Sequence, residues 1–186
     1  MPLKLITPPS GLAVDETVTK QQHLRILHDL EDSVVEQYIK SATDEAERKT
    51  GRQLLEATYE LILDGFNTDV KDRIYLPKPP LKSIESITYY DAANQLQTLE
   101  TSKYYVELNE IQGYVEFLEA TPAVYDRKDA VKITFKAGYG AAADLPESIK
   151  QWIMIRTANF FEFRQGAEKA EMSDALLWPF MLPELI

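Results

Sequence analysis

The chain has 186 residues, 45% of them apolar and 27% charged, a balance that supports a folded core and excludes wholesale disorder. Its formal charge of −10 argues against a broad phosphate-gripping surface, because affinity for nucleic acid comes mainly from lysine and arginine. The absence of cysteine excludes disulfides, thiolate nucleophiles and cysteine-ligated metals.

The opening stretch MPLKLITPPSG has too few apolar residues before Pro8 and Pro9 for a signal-peptide core. No run reaches the ~18 apolar residues of a membrane span, so a soluble protein made in the cytoplasm is expected. Residues 1–16 hold Pro2, Pro8, Pro9 and Gly11 without a clear period and read as an extended arm. From Thr17 the pattern turns helical. A short helix is predicted over about 18–27 and a longer one over about 31–50, with Asp29 or Asp32 as N-cap and Gly51 as the stop. In the longer helix Val35, Tyr38, Ile39, Ala42 and Ala46 share one stripe, opposite Glu36, Lys40, Asp44 and Glu47. From Asp29 to Glu47, seven acids (Asp29, Glu31, Asp32, Glu36, Asp44, Glu45, Glu47) against the single base Lys40 read first as a solvated face, and otherwise as a functional negative surface.

The period then changes to two. Tyr59, Leu61 and Leu63 alternate with Glu60 and Ile62, and Ile87 and Tyr89; Tyr104, Val106 and Leu108; Val115 and Phe117; and Val131, Ile133 and Phe135 continue the series. Turn-like pieces (DAANQ, NEIQG, TPAVYDRKD) separate them, and no helix-length segment intervenes, so an antiparallel meander is predicted. In YLPKPPLKSIESITYYD, Pro77, Pro79 and Pro80 lack N–H donors and are expected to hold the incoming chain extended, preventing it from pairing as a central strand before Ile84.

Helical character returns at DLPESIKQWIMIRTANFFEFRQG, with Asp144 as cap, Pro146 in the first turn and Glu147 at the positive helix end. Ile149, Trp152, Ile153, Phe160 and Phe163 form a stripe that Ile155, Ala158 and Phe161 widen, so two sides of this helix are expected to be covered. The closing DALLWPFMLPELI is apolar enough to need docking, in its own domain or against another subunit.

Candidate chemistry is sparse. His23 and His28, five residues apart, lie about 140° apart on a helix and do not chelate one metal together. Asp64, Asn67, Asp69 and Asp72 offer oxygen ligands, but the spacing and the glycine position are wrong for a calcium loop, leaving a turn. Gly138, Gly140 and Ala143 match the dinucleotide fingerprint, yet no strand follows the helix and Asp144 sets a negative charge where a phosphate belongs. Catalytic, cofactor-binding and metal-binding residues are therefore assigned to none.

The ordered set of segments carries more than any single motif. Lys20 to Leu54, Leu76 to Leu96, KYYVEL (Lys103 to Leu108), AVKITFKAGYG (Ala130 to Gly140), LPESIKQWIMIRTANFFEFR (Leu145 to Arg164) and LLWPF (Leu176 to Phe180) together resemble the phage head–tail connector family, in its long form with a β-rich insertion. The end departs from the family's LLxPYR pattern, with Met181 where that pattern has arginine.

The resemblance implies an α+β fold in which N- and C-terminal helices form a small bundle interrupted by an antiparallel β insertion. The corresponding boundaries are an arm at 1–16, a helical connector core at 17–54 and 144–186, and the β insertion at 55–140. It implies a non-enzymatic virion protein without cofactors: an adaptor or head-completion ring, twelvefold to match the portal, that contacts the portal protein and the next tail-completion protein. DNA would meet it only by passage through the channel, and no membrane is involved. The acids of the long helix are the expected channel lining, since they repel phosphates. A small carboxylate-dependent hydrolase on the β insertion is the alternative from another class, and a helix-turn-helix regulator on residues 18–50 is disfavoured by the acidity of that segment.

Overall fold

The computed structural model describes residues 2–25, 28, 30–66, 72–163 and 173–182. It has the expected α+β fold and divides into two compact units: Met1–Pro9 with Glu56–Gly138, and Ser10–Leu55 with Tyr139–Ile186.

Among its described residues the first unit is built of β-strands with one 3-10 turn, Thr101–Lys103. Its strands are β1 (Leu3–Thr7), β2 (Ala57–Leu63), β3 (Arg73–Tyr75), β4 (Leu81–Tyr90), β5 (Leu96–Thr98), β6 (Tyr104–Glu107), β7 (Tyr114–Phe117) and β8 (Val131–Ala137). Every strand pairing is antiparallel, as the short connections require. The order departs from a simple meander: one five-stranded sheet runs β1-β2-β8-β4-β5, and a separate three-stranded sheet runs β3-β7-β6. The reason lies in β8, whose Val131, Ile133 and Phe135 are fully buried and need a strand on each side. Ile133 has Leu61 of β2 across one edge and Ile87 of β4 across the other, and the row of three is buried. Side chains of this size each contribute about 1.5–3 kcal/mol on burial.

Two expectations change here. The opening segment is not merely an arm, since Leu3–Thr7 joins the sheet as a partner of β2 before Pro8 and Pro9 end it. The three prolines do not hold the chain straight up to Ile84. The backbone bends over residues 77–80, Lys78 has φ of 64°, the Pro79–Pro80 bond is cis, and β4 begins at Leu81 opposite Ala137. A missing N–H does not prevent pairing where the carbonyl faces the neighbour, and Pro80 O accepts from Gly138 N at 2.9 Å. β4 consequently lies inside the sheet, between β8 and β5.

The second unit is helical. Asp15, not singled out in the sequence, caps the one-turn helix α1 (Glu16–Thr19): its carboxylate accepts from Val18 N at 2.8 Å. A π-helical turn over Lys20–Leu24 follows and ends at Arg25, with φ of 56°. The predicted helix over 18–27 is thus interrupted, and Ile26 and Leu27 lie outside the described residues. The long helix α2 spans Asp32–Thr50 and stops at Gly51, whose φ of 73° is the left-handed cap that glycine favours. Asp32 is inside its first turn and pairs with Lys20 instead of capping, while Asp29 lies outside the described residues.

α3 spans Glu147–Glu162, with Pro146 at the cap position. Asp144, the expected cap, instead closes a 3-10 turn over Ala142–Asp144, its carboxylate accepting from Ala141 N at 2.9 Å. Val35, Ile39, Ala42 and Ala46 of α2 share one core with Ile149, Trp152 and Ile153 of α3. Tyr38 of the same stripe meets the Phe160 ring at a centroid distance of 5.9 Å.

Candidate functional site

Among the described residues, none of the chemistry candidates read from the sequence is gathered into a reaction centre. His23 sits in the π-helical turn and His28 is exposed. Among the described residues no group of three or more histidines and acids is placed to hold a metal ion. Asp72 has φ of 56°, a turn conformation, while Asn67 and Asp69 lie outside the described residues. Gly138 and Gly140 have φ of 112° and 134°, so the fingerprint-like run is a turn that needs glycine. Tyr139 N is spent on Leu54 O at 2.9 Å and Ala141 N on the Asp144 carboxylate, amides that a phosphate would otherwise use.

The acids of α2 are largely engaged within the helical unit. Glu45 accepts from Arg156 Nε at 2.8 Å, and Glu47 accepts from Gln53 Nε2 at 2.7 Å and Leu54 N at 2.9 Å. Glu36 pairs with Lys40 one turn on, at 2.7 Å, and Asp44 stands exposed. The expectation of one uniformly solvated face is corrected on this point: a negative helix side that includes Glu45 and Glu47 folds against α3 and the chain after Gly51. Glu16, close to Asp32, has its pKa raised by burial first and by the neighbouring carboxylate second.

The strongest local construction anchors the C-terminal segment. Asp174 accepts from Lys49 Nζ at 2.6 Å and from Trp152 Nε1 at 3.0 Å. Burial works against its charge, but these two hydrogen bonds and the Lys49 charge prevail, and the carboxyl is held below the usual range. Arg52 Nε donates to Phe180 O at 2.6 Å, and Leu182 N to Thr50 O at 3.2 Å. Leu177 is fully buried, whereas Trp178 is 66% exposed and Met181 is 38% exposed. The docked tail therefore covers its own unit with one side and presents an indole on the other. Along α3, Met154, Ile155, Ala158 and Phe161 are half-buried and Phe163 is exposed, so its second apolar side is only partly covered.

Sequence reasoning missed Asp15, Asp174 and the Arg156–Glu45 pair. Asp15 carried a readable signal, an acid directly before a helical pattern. The other two join residues 125 and 111 positions apart, which no local pattern reports.

In comparison with known proteins, residues 19–116 match the family model described as phage gp6-like head–tail connector protein. No curated protein matches. Among solved structures, the fold is similar to a chain in the neck of an empty GTA particle computed with C6 symmetry, at TM-score 0.84 and 22% identity, covering 100% of this chain and 98% of that one. It is likewise similar to a chain in the virion of a native gene transfer agent particle, at TM-score 0.82, 22% identity and the same coverage. A chain in the neck of a native GTA particle computed with C12 symmetry gives TM-score 0.75 and 21% identity, again covering 100% and 98%. At these identities the likeness is one of fold.

Proposed function

The chain belongs to the phage gp6-like head–tail connector family, and on that premise we propose that it is a structural subunit of the ring joining the portal to the tail of a long-tailed phage or prophage. The observation that carries the reading is the family match itself, which runs across more than half of the 186 residues and through both units. The similar neck chains belong to particles whose necks were computed with sixfold and twelvefold symmetry, which supports a ring of copies here. A second support is physical: the core of each unit is filled from within, yet Trp178, Met181, Phe163 and several β-unit apolar residues remain outside, as a subunit awaiting neighbours requires.

In this reading the work is shape and surface complementarity, with the portal on one side, the next tail-completion protein on the other, and the virion as the location. DNA passes through the channel, and a net charge of −10 keeps its phosphates from sticking. A carboxylate-dependent hydrolase on the β unit gains no support. Glu56, Asp91 and Asp129 are all held below the usual range by hydrogen-bond donors, the opposite of what a general acid needs.

The test is assembly. Native mass spectrometry and electron microscopy of the chain, alone and mixed with the portal protein of the phage or prophage that encodes it, should show closed rings bound to the portal. A chain that stays monomeric and ignores the portal at every salt concentration overturns the proposal.

A further inference from the structure

Of the four strands that end the two sheets of the β unit, two, β1 and β6, have edges that are unpaired among the described residues and complementary to each other. β1 ends the five-stranded sheet and β6 ends the three-stranded one. An edge strand exposes a row of unpaired backbone groups, and proteins usually blunt such edges with charge, proline or cover. β1 is weakly blunted: Leu5 and Ile6 are exposed, and Lys4 is its single charged residue. β6 presents exposed Tyr105 and ends at Glu107, followed by exposed Leu108.

We propose that β1 of one copy pairs antiparallel with β6 of the next, Lys4 opposite Glu107, so that the sheets continue from subunit to subunit. This deepens the ring reading and rests on it.

The hydrogen-bond phase of the two edges admits this register and excludes those one residue to either side. Ile62 N donates to Pro2 O, and the pairing continues with Leu3 opposite Leu61, Lys4 opposite Glu60 and Leu5 opposite Tyr59. Because inward and outward backbone groups alternate along an antiparallel strand, Pro2 and Lys4 spend theirs on β2, while Leu3 and Leu5 direct theirs outward. On the other edge Leu118 N donates to Lys103 O, and the pairing continues from Tyr104 opposite Phe117 to Glu107 opposite Tyr114. Tyr105 and Glu107 therefore spend their groups on β7, and Tyr104 and Val106 direct theirs outward.

Setting Lys4 against Glu107 brings Leu5 against Val106, two residues whose backbone groups both point outward. A slip of one residue would set outward groups against spent ones. The faces agree as well: Leu5 stands across from buried Tyr59, and Val106 packs on the same β core. The same register opposes Leu3 to Leu108, covering an exposed apolar side chain. The bulge between Leu5 and Thr7 marks where the pairing ends.

The occupant is a second copy because charge and phase match between two different edges of one chain. Such a head-to-tail contact closes into a ring when its rotation divides the full turn, as a self-complementary one does not.

The chain has no cysteine, which permits a direct test. Lys4 and Glu107 would form a non-hydrogen-bonded pair, with Cα atoms about 4.5 Å apart, inside the disulfide range. Oxidising assembled rings of the Lys4→Cys, Glu107→Cys double variant should give a covalent ladder on a denaturing gel that stops at the subunit number, with no ladder from either single variant. Independently, Lys4→Glu and Glu107→Lys should each raise the half-assembly concentration by about two- to fivefold per interface, and the two combined should restore it, with circular dichroism showing the monomer fold unchanged.

Rings without a ladder, charge variants that assemble normally, or cross-linked dimers from Lys4→Cys alone overturn the edge pairing and leave the ring reading standing. A wild-type chain that forms no ring, alone or with portal, overturns both.

Discussion

In the β unit, Glu56 between Lys82 and Lys136, and Asp129 beside Arg127, sit in ion pairs at the surface. In the helical unit, Asp174 takes Lys49 and Trp152, and Glu45 takes Arg156, in pairs that are largely covered and join distant parts of the chain. The same residue type thus does different work. The β unit is held by apolar rows across β2, β8 and β4, with Arg73–Glu116 between β3 and β7 its more covered ion pair and the pairs of Glu56 and Asp129 lying at its surface, whereas the helical unit uses its charges to fasten α2, α3 and the C-terminal segment around a smaller core.

The largest expected effect tests whether the two cores are separate. Trp152 is fully buried and its indole also donates to Asp174. Trp152→Ala should cost about 3–5 kcal/mol. Hydrogen exchange should then show α2 and α3 losing protection while amides of β2, β4 and β8 keep theirs. Equal loss in both units would show that they melt as one, and the comparison would fail.

Asp174→Asn follows at about 1–3 kcal/mol, since it leaves Lys49 facing a neutral amide in a half-buried place. The pH dependence has a definite sign. A carboxyl with its folded pKa below the unfolded one contributes stability above the usual carboxylate range, and loses it as pH falls through the lower folded value. Urea denaturation followed from neutral to acid pH should therefore fall less steeply in the Asn variant than in wild type. Parallel curves would show that Asp174 is not part of the acid response.

These contrasts explain what the sequence could show. Alternation located β2 and β8 because Tyr59, Leu61 and Leu63, and Val131, Ile133 and Phe135, are buried at every second position, and it located β4 only around Ile87, since register shifts interrupt that strand; Gly51 marked the end of α2 because a left-handed cap favours glycine. The α+β division followed from the change of period. Strand order did not, because alternation says which face is buried and not which strand lies alongside; β8 could enter between β2 and β4 without altering its own pattern. The acids of α2 looked solvated for a related reason. Their partners, Arg156, Gln53 and Lys20, come from other elements, and helix periodicity registers only neighbours three or four residues away. The proline run misled at one step: a missing donor restricts one backbone direction, and the Pro80 carbonyl was still free to face Gly138.

The smallest expected effect belongs to the β unit. Glu56 is held below the usual range first by the Lys82 hydrogen bond, with burial opposing and the Lys82 and Lys136 charges adding to it. Its side chain is 35% exposed, so solvent screens most of that interaction. Glu56→Gln should therefore change stability by no more than about 0.5 kcal/mol, and added salt should erase even that. The sign with pH is the same as for Asp174, because both carboxyls are lowered, so the two variants differ in magnitude and salt response alone. Measuring both across a salt series isolates burial as the cause: a Glu56→Gln effect that equals Asp174→Asn and persists in high salt would mean that charge fastens the β unit too.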